Sequence, residues 1–132
     1  MANAVTQKIL IDGGTMVGSH VIKQIVIVSD GSEETDLVIY DNSAHVADVL
    51  KGIVRRVKAT GSSACQCILE WDQTTDSVVC AFEPGAGVDI DYRHVGGIKN
   101  PGAVGATGDL LLTTTNLDAG DVITIEIEIG QS

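Results

Sequence analysis

Alternating apolar and polar residues mark one strand clearly near the end of the chain. From 123 to 129 the odd positions are all Ile, and the even positions between them are Thr or Glu. Because successive side chains of a strand point to opposite faces, this period of two is typical of a strand with one buried and one solvated face. The sequence therefore predicts a strand over 121–129.

Seven other apolar segments also predict strands, and turn-forming residues separate them. They cover 5–11, 20–28, 37–40, 64–71, 77–82, 88–92 and 109–115. Asp12-Gly13 and Asp30-Gly31 favour tight turns, because Asp tolerates unusual backbone angles and Gly accepts a positive φ. The segments on either side of 72–76 predict a hairpin, and the Gly-rich stretch 96–108 predicts a long loop.

The segment 44–58 fits two kinds of structure. Its apolar residues recur at helical spacing, and Asn42 or Ser43 would cap a helix. A strand must accommodate Gly52 and the pair Arg55-Arg56. The Val-rich content and the β-rich surroundings nevertheless favour a strand over at least the second half. Helix and strand both stay open for 44–51.

Composition supports a mainly β protein. The 132 residues include 16 Val, 14 Ile and 11 Thr, and such β-branched residues pack well on a pleated surface. This length and a hydrophobic fraction of 44% suit one compact domain. We predict a single all-β domain over 1–132, an antiparallel β-sandwich with a jelly roll as one candidate topology. Long Gly-rich loops and a short N-terminal arm at about residues 1–7 complete the prediction.

Charge argues against several classes of partner. Eight Lys and Arg stand against 18 Asp and Glu, which gives a net charge of −10. Nucleic acids and anionic membranes bind basic surfaces, and the only basic cluster is Arg55-Arg56 with Lys51 and Lys58. No apolar stretch reaches the ~18 residues that cross a bilayer, and the N-terminus does not resemble a signal peptide. We therefore expect no nucleic-acid or membrane partner, and synthesis in a reducing cytoplasm.

The three cysteines fit a reducing compartment. Cys65 and Cys67 share one face of a predicted strand, and Cys80 lies in the next strand. An odd number of cysteines without Cys-x-x-Cys spacing argues against a disulfide framework and against a zinc site. We predict buried, reduced, structural thiols.

The chain shows none of the local patterns of a catalytic site. It has no Gly-x-Ser-x-Gly elbow, and His20, His45 and His94 lie in unrelated segments. The glycines of 96–108 lack the following helix and the Gly-Lys-Ser/Thr ending of a phosphate-binding loop. We expect no enzymatic activity and no cofactor.

Two acidic pairs offer oxygen ligands for a cation. Asp72 and Asp76 flank a hairpin turn, and Asp89 and Asp91 lie on a short strand, where His94 is a further candidate partner. Calcium takes six to eight oxygens, whereas an aspartate in a turn commonly accepts hydrogen bonds from its own backbone. The turn interpretation is favoured, and we expect no metal.

The second half of the chain resembles small virion structural proteins of tailed bacteriophages. The resemblance lies in 69–76 (LEWDQTTD), 91–102 (DYRHVGGIKNPG), 105–114 (GATGDLLLTT) and 120–126 (GDVITIE), and it covers about residues 65–129. Those proteins share a Trp-Asp-x-Thr-Thr-Asp hairpin, a Gly-Gly-Ile-x-Asn-Pro loop and a Thr-Gly-Asp strand start, in the same order. This chain departs from the pattern at Lys99, where Pro is commoner, and at Cys65 and Cys67.

This resemblance implies a capsid decoration, or cement, protein. Such a protein is a β-sandwich on the outside of the head, often a homotrimer, that binds the major capsid protein and stabilises contacts between capsomers. The residues it assigns to the interface are Gly96, Gly97, Ile98, Asn100 and Pro101, and the segment 2–7 is a candidate contact arm. The expected location is the capsid surface of the virion, after synthesis in the host cytoplasm.

Two alternatives accompany this interpretation. One is a different phage virion component, in the tail or as an adaptor. The other is a calcium- or carbohydrate-binding β-sandwich module, which would be stabilised by calcium and would build a sugar site around Trp71 or Tyr92.

Overall fold

Ten strands form the protein in the computed structural model, which describes residues 3–12, 20–41, 52–62 and 65–131. The strands are β1 (Ala4–Asp12), β2 (His20–Val28), β3 (Leu37–Tyr40), β4 (Gly52–Gly61), β5 (Gln66–Trp71), β6 (Ser77–Phe82), β7 (Val88–Asp91), β8 (Ile98–Lys99), β9 (Leu110–Thr115) and β10 (Val122–Gln131). Within these ranges, two single 3-10 turns occur at Pro84–Ala86 and Arg93–Val95. No helix in the described residues is long and apolar enough to span a bilayer.

The strands pair into two antiparallel sheets that face each other. One sheet has the order β1-β2-β10-β4-β7, with β8 also paired to β4, and the other has the order β3-β9-β5-β6. Strands β2-β10-β4-β7 opposite β3-β9-β5-β6 form a jelly roll, in which eight strands are distributed over two sheets. The predicted all-β antiparallel sandwich is confirmed, and the jelly roll is its topology.

The core lies between the two sheets and follows the alternation of their strands. Ile123, Ile125, Ile127 and Ile129 of β10 are each at most 1% exposed, as the period of two predicts. The four-stranded sheet contributes the buried side chains of Leu69, Trp71, Leu110 and Leu112 to the same cluster. Burial of each large aliphatic side chain contributes about 1.5–3 kcal/mol, so this layer is the main source of stability.

Some boundaries differ from the sequence prediction. The ambiguous segment is a strand from Gly52 onward, whereas 42–51, including His45, lies outside the described residues. The predicted loop 96–108 contains the two-residue strand β8, which pairs with Ile53 and Val54. Residues 4–7 of the predicted arm belong to β1 and pair with 25–28 of β2. The part of the arm that is described is therefore an edge strand.

The two ends of the sandwich differ in charge. At the acidic end lie the connections 29–36, 83–87 and 116–121, which contain seven carboxylates and no Lys or Arg: Asp30, Glu33, Glu34, Asp36, Glu83, Asp118 and Asp121. At the loop end lie the β5–β6 turn, 72–76, and the long connection 92–109. Residues 92–108 contain Arg93 and Lys99 and no carboxylate. The net charge of −10 is thus unevenly distributed.

Candidate functional site

The loop end is a surface formed by the β5–β6 turn and the long connection 92–109, which are joined by hydrogen bonds. The hydroxyl of Thr107 donates to Oδ2 of Asp72 at 2.8 Å, and the amide of Asp72 donates to the carbonyl of Asp109 at 3.0 Å. The amide of Thr74 donates to the carbonyl of Val104 at 2.9 Å. These bonds hold the long connection against the β5–β6 hairpin, although much of it lacks regular secondary structure.

The predicted interface residues divide into an anchored and an exposed group. Gly97 lies against β4, Ile98 pairs with Val54, and Asn100 is buried and accepts the amide of Gly102 at 2.9 Å. Gly96 and Pro101 are exposed. The first three residues therefore hold the loop in place, and the other two lie where a partner can reach them.

Two exposed apolar side chains at the loop end were missed by the sequence analysis. Val104 is 82% exposed and Val95 is 63% exposed, the two largest exposures among the bulky hydrophobic residues described. The exposure of Val104 could have been predicted from the sequence. Val104 is a branched apolar residue in a Gly-rich stretch without the alternation of apolar and polar residues that marks a buried strand face. Both belong to the candidate contact surface.

Asp72 and Asp76 act mainly as turn residues, as the favoured interpretation predicts. Oδ1 of Asp76 accepts the amide of Gln73 at 3.2 Å, which closes the hairpin, and Asp72 holds Thr107. Asp76 is also close to two other carboxylates. Single oxygens of Asp36, Glu70 and Asp76 all lie within 4.8 Å of one another. Three such oxygens fall short of the six to eight that calcium takes.

Burial and the neighbouring carboxylates together make Glu70 harder to ionise. Its pKa is raised, first by burial and then by the negative charges of Asp76 and Asp36. A folded-state pKa above the unfolded value means that the stabilising contribution is complete at low pH and is lost as the pH rises through the folded pKa. At neutral pH the ionised Glu70 in this cluster therefore lowers the free energy of unfolding.

Replacing Glu70 by Gln is expected to stabilise the protein at neutral pH by up to about 1 kcal/mol, because a like-charge repulsion disappears. The gain should vanish when the pH falls low enough to protonate Glu70 in the native protein. Urea denaturation at several pH values measures both effects. The matched control is Glu83→Gln at an exposed position, and an equal gain there would contradict the role of the cluster.

The second acidic pair is held by arginines. Arg56 contacts Asp89 through two hydrogen bonds, the shorter 2.6 Å, and Arg93 contacts Asp91 in the same manner at 2.7 Å. The pKa of each aspartate is lowered, chiefly by the hydrogen bonds from its arginine. These two carboxylates are thus engaged with guanidinium groups, and exposed His94 is not needed to explain them.

Two members of the basic cluster considered for nucleic acids, Arg56 and Lys58, lie opposite carboxylates. Besides its contact with Asp89, Arg56 lies opposite Glu128 across the β4–β10 pair, and Lys58 lies opposite Glu126. Lys51 lies outside the described residues. The outer face of the six-stranded sheet therefore alternates in charge and has no basic stripe in this region.

Trp71 does not provide the sugar platform that the carbohydrate alternative places at Trp71 or Tyr92. Trp71 is 1% exposed, so its ring has no open face on which a sugar could stack. Tyr92 is half-buried, and burial together with the neighbouring Cys80 raises its pKa to about 12. The expectation of a sugar site around Trp71 is wrong, because the alternation of β5 turns that side chain into the core.

Two of the cysteines are deeply buried, as predicted. Cys65 is 1% exposed and Cys67 is 0% exposed, while Cys80 is half-buried. Burial is the largest cause that raises the pKa of Cys67 from 9.0 to about 12, followed by the proximity of Cys65. The thiolate is the reactive form, so a shift of this size lowers the reactive fraction on the order of a thousandfold.

We therefore expect a thiol-specific reagent such as Ellman's reagent to modify Cys67 in the native protein far more slowly than in urea. The physical reasons are the scarcity of thiolate and the absence of solvent access. Mass spectrometry of modified peptides over time assigns each rate, with half-buried Cys80 as the internal comparison. Equal rates for Cys67 and Cys80 would contradict the packing described.

Comparisons with known proteins do not assign the chain to a family. No protein-family model and no curated protein match it. Peruvianin-I, a cysteine peptidase from Thevetia peruviana latex, is similar in structure at a TM-score of 0.36, with 10% identity over 96% of this chain and 61% of that one. The enzymatically active domain of bacteriophage CBA120 tailspike protein 4 is similar at a TM-score of 0.26, with 11% identity over 100% of this chain and 16% of that one. The chain thus spans only part of both, and neither likeness bears on function.

Proposed function

We propose that this chain is a structural virion protein, a capsid decoration protein whose loop end binds the major capsid protein. One observation carries the proposal. Two of the four segments that resemble phage virion proteins, 69–76 and 105–114, are far apart in sequence yet are joined by the hydrogen bonds of Asp72 with Thr107 and Asp109. Residues that share a motif and a surface are more simply explained by a common contact than by separate structural needs.

Charge and exposure at the loop end also support a protein contact. The loop-end segments 72–76 and 92–109 carry three carboxylates, Asp72, Asp76 and Asp109, beside Arg93 and Lys99, while the acidic end carries seven carboxylates and no Lys or Arg. Val95 and Val104 are exposed apolar side chains, and burying them in an interface would contribute favourable binding energy. The hydrogen bonds that already hold the loop in place reduce the conformational entropy that it would lose on binding. In this orientation the acidic end faces solvent and repels free DNA.

The role needs no chemistry at the site. A decoration protein stabilises a shell by adding interface area between neighbouring subunits, and a homotrimer does so through several contacts at once. Each contact can be weak, because linked contacts raise the overall affinity. The proposal accordingly includes a non-catalytic chain, a homotrimer and a location on the capsid surface after synthesis in the host cytoplasm. Fold analogy alone does not decide it, since jelly rolls occur in viral capsid proteins and in lectins.

Replacing Val104 by Asp is expected to weaken binding to heads by about tenfold or more, because it removes apolar burial and introduces a charge. Heads that lack the protein are mixed with purified chain, and the bound fraction is measured by co-sedimentation over a concentration series. The matched control is Val122→Asp, at a residue 40% exposed beside the acidic end, which should bind as the unaltered chain does.

Equal weakening by both variants, or no binding of the unaltered chain, would contradict the loop-end contact. Immunogold labelling of virions then separates the alternatives. Label on heads supports decoration, label on tails or at the neck supports the tail or adaptor role, and virions without label contradict both. A mass of three chains by light scattering supports the trimer.

A calcium-binding module is the second candidate, and the carboxylates of Asp36, Glu70 and Asp76 are the observation that favours it. Calcium binding would raise the melting temperature in proportion to the logarithm of its concentration over Kd. A melt with and without calcium tests this directly, with Glu70→Gln as the variant that should abolish any shift.

A further inference from the structure

Strand β6 leaves one edge of the four-stranded sheet open. It pairs with β5 on one side, and no strand in the described part of the chain pairs with its other side. The backbone N–H and C=O groups on that side can therefore pair with another strand, which most proteins prevent at sheet edges by charge, shortness or cover.

The other three edges carry a charge or are short, whereas β6 carries no charged side chain within the strand and has one irregularity, at Val79, in its pairing with β5. Strand β1 carries Lys8, and β7 carries Asp89 and Asp91. Strand β3 has four residues, and the carbonyl of Val38 accepts a hydrogen bond from the side chain of Gln7. Strand β6 (SVVCAF) has six residues and no charge.

An apolar surface adjoins this edge on the outer face of the sheet. Val78 is 59% exposed, and Ala81 is exposed next to Ile68 of β5. A groove of about 250 Å³ lies beside them, lined by Gln66, Ile68, Ala81, Phe82 and Glu83. Alternate side chains of an added strand would lie on this surface, which gives the edge a means of selecting its partner.

Carboxylates lie at both ends of the strand and beside it. Asp76 directly precedes β6, Glu83 directly follows it, and Glu70 lies opposite Val78 in the register. A second copy pairing antiparallel through β6 would place Asp76 against Glu83 of the other copy, and like charges in that position are unfavourable. The surface instead complements a strand with positive charge at its two ends.

We propose that β6 binds an extended segment of a partner protein by strand addition, and that this segment has apolar residues in alternation between flanking Lys or Arg residues. The site shares only Asp76 of the β5–β6 turn with the loop end, and it does not depend on the proposed role there. Main-chain hydrogen bonds supply affinity, and the carboxylates at the two ends fix the charge of the partner.

The test uses two synthetic peptides that alternate Val and Thr, one with Lys at both ends and one with Glu. We expect the Lys peptide to bind about tenfold or more tightly than the Glu peptide, measured by fluorescence anisotropy. The difference should shrink with added salt, because these charges are solvent-exposed. Amide chemical shifts should change over 77–82. Equal affinities, no binding of either peptide, or shifts confined to other strands would overturn the proposal.

A pair of variants localises the site. Val78→Lys should weaken binding of the Lys peptide about tenfold by repulsion at the edge, whereas Thr60→Lys, exposed on the other sheet, should leave it unchanged. Circular dichroism confirms that both variants fold. Loss of a dimer in Val78→Lys, seen by light scattering, would show that a second copy occupies the edge and would overturn the choice of partner. Val104→Asp should still bind the peptide, so failure of the loop-end proposal is distinguishable.

Discussion

Replacing Trp71 by Ala is expected to lower the free energy of unfolding by about 3–5 kcal/mol, the range for removal of a large buried aromatic side chain. Trp71 ends β5 on its inner face, 1% exposed, and lies opposite Leu110 of β9. A Cβ on Gly52 would lie 3.2 Å from Cη2 of Trp71, so the ring also packs on the start of β4. Two sheets fixed by their own hydrogen bonds cannot close the cavity that alanine leaves.

Urea denaturation followed by far-ultraviolet circular dichroism measures this loss, since the substitution removes the only tryptophan. Trp71→Phe is the control and should lose less than about half as much, because most of the ring volume is kept. A loss below about 1 kcal/mol for Trp71→Ala would mean that the ring is not a core element. That result would restore a sugar-stacking role for it.

Replacing Gly97 by Ala is expected to cost about 2–5 kcal/mol of stability and to detach β8 from β4. Gly97 has a φ of +86°, which L residues adopt at a cost of roughly 1–2 kcal/mol. A Cβ there would lie 2.3 Å from Cγ2 of Ile53 and 2.9 Å from the carbonyl oxygen of Val54. The added methyl group therefore also strains the packing, by about 1–3 kcal/mol.

The neighbouring glycine separates these two effects. Gly96 has a φ of +85°, yet a Cβ there would have no atom within 4 Å. Gly96→Ala should therefore lose only the backbone contribution, about 1–2 kcal/mol. Urea denaturation of the two variants gives the difference, and amide exchange at Ile98 and Lys99 reports whether β8 is released. Equal losses would contradict the close approach of Gly97 to β4.

Strands with one solvated face could be predicted from the sequence, and strands with two apolar faces could be predicted only in part. The Ile positions of β10 identify its buried face directly. In β2 both faces are rich in Val and Ile, so alternation does not show that Lys23 lies opposite Ile127, on the inward side. The pKa of Lys23 is lowered, chiefly by burial, with Asp41 acting in the opposite direction. The pairing of β2 with β10 determines which face of β2 is buried.

The candidate site could be predicted at the level of segments but not of contacts. The Gly-Gly pair marks a loop with unusual backbone angles, but the sequence does not show that only Gly97 packs tightly. The hydrogen bond between Asp72 and Thr107 joins residues 35 positions apart, and no local pattern encodes it. The exposure of Val104 depends on that same attachment, since Thr74 holds its carbonyl.

The interleaved strand order has a consequence for how the chain folds. Strand β2 lies between β1 and β10, and among the strands described β3 pairs with β9 alone, so the first third of the chain has few partners until the last third is present. Pairing over such separations requires closure of long loops, and all-β domains of this kind fold in milliseconds to seconds. During synthesis, β2 and β3 therefore leave the ribosome with exposed apolar faces and stay so until β9 and β10 follow. The two sheets therefore close only after β9 and β10 have been synthesised, and the chain exposes aggregation-prone surface until then.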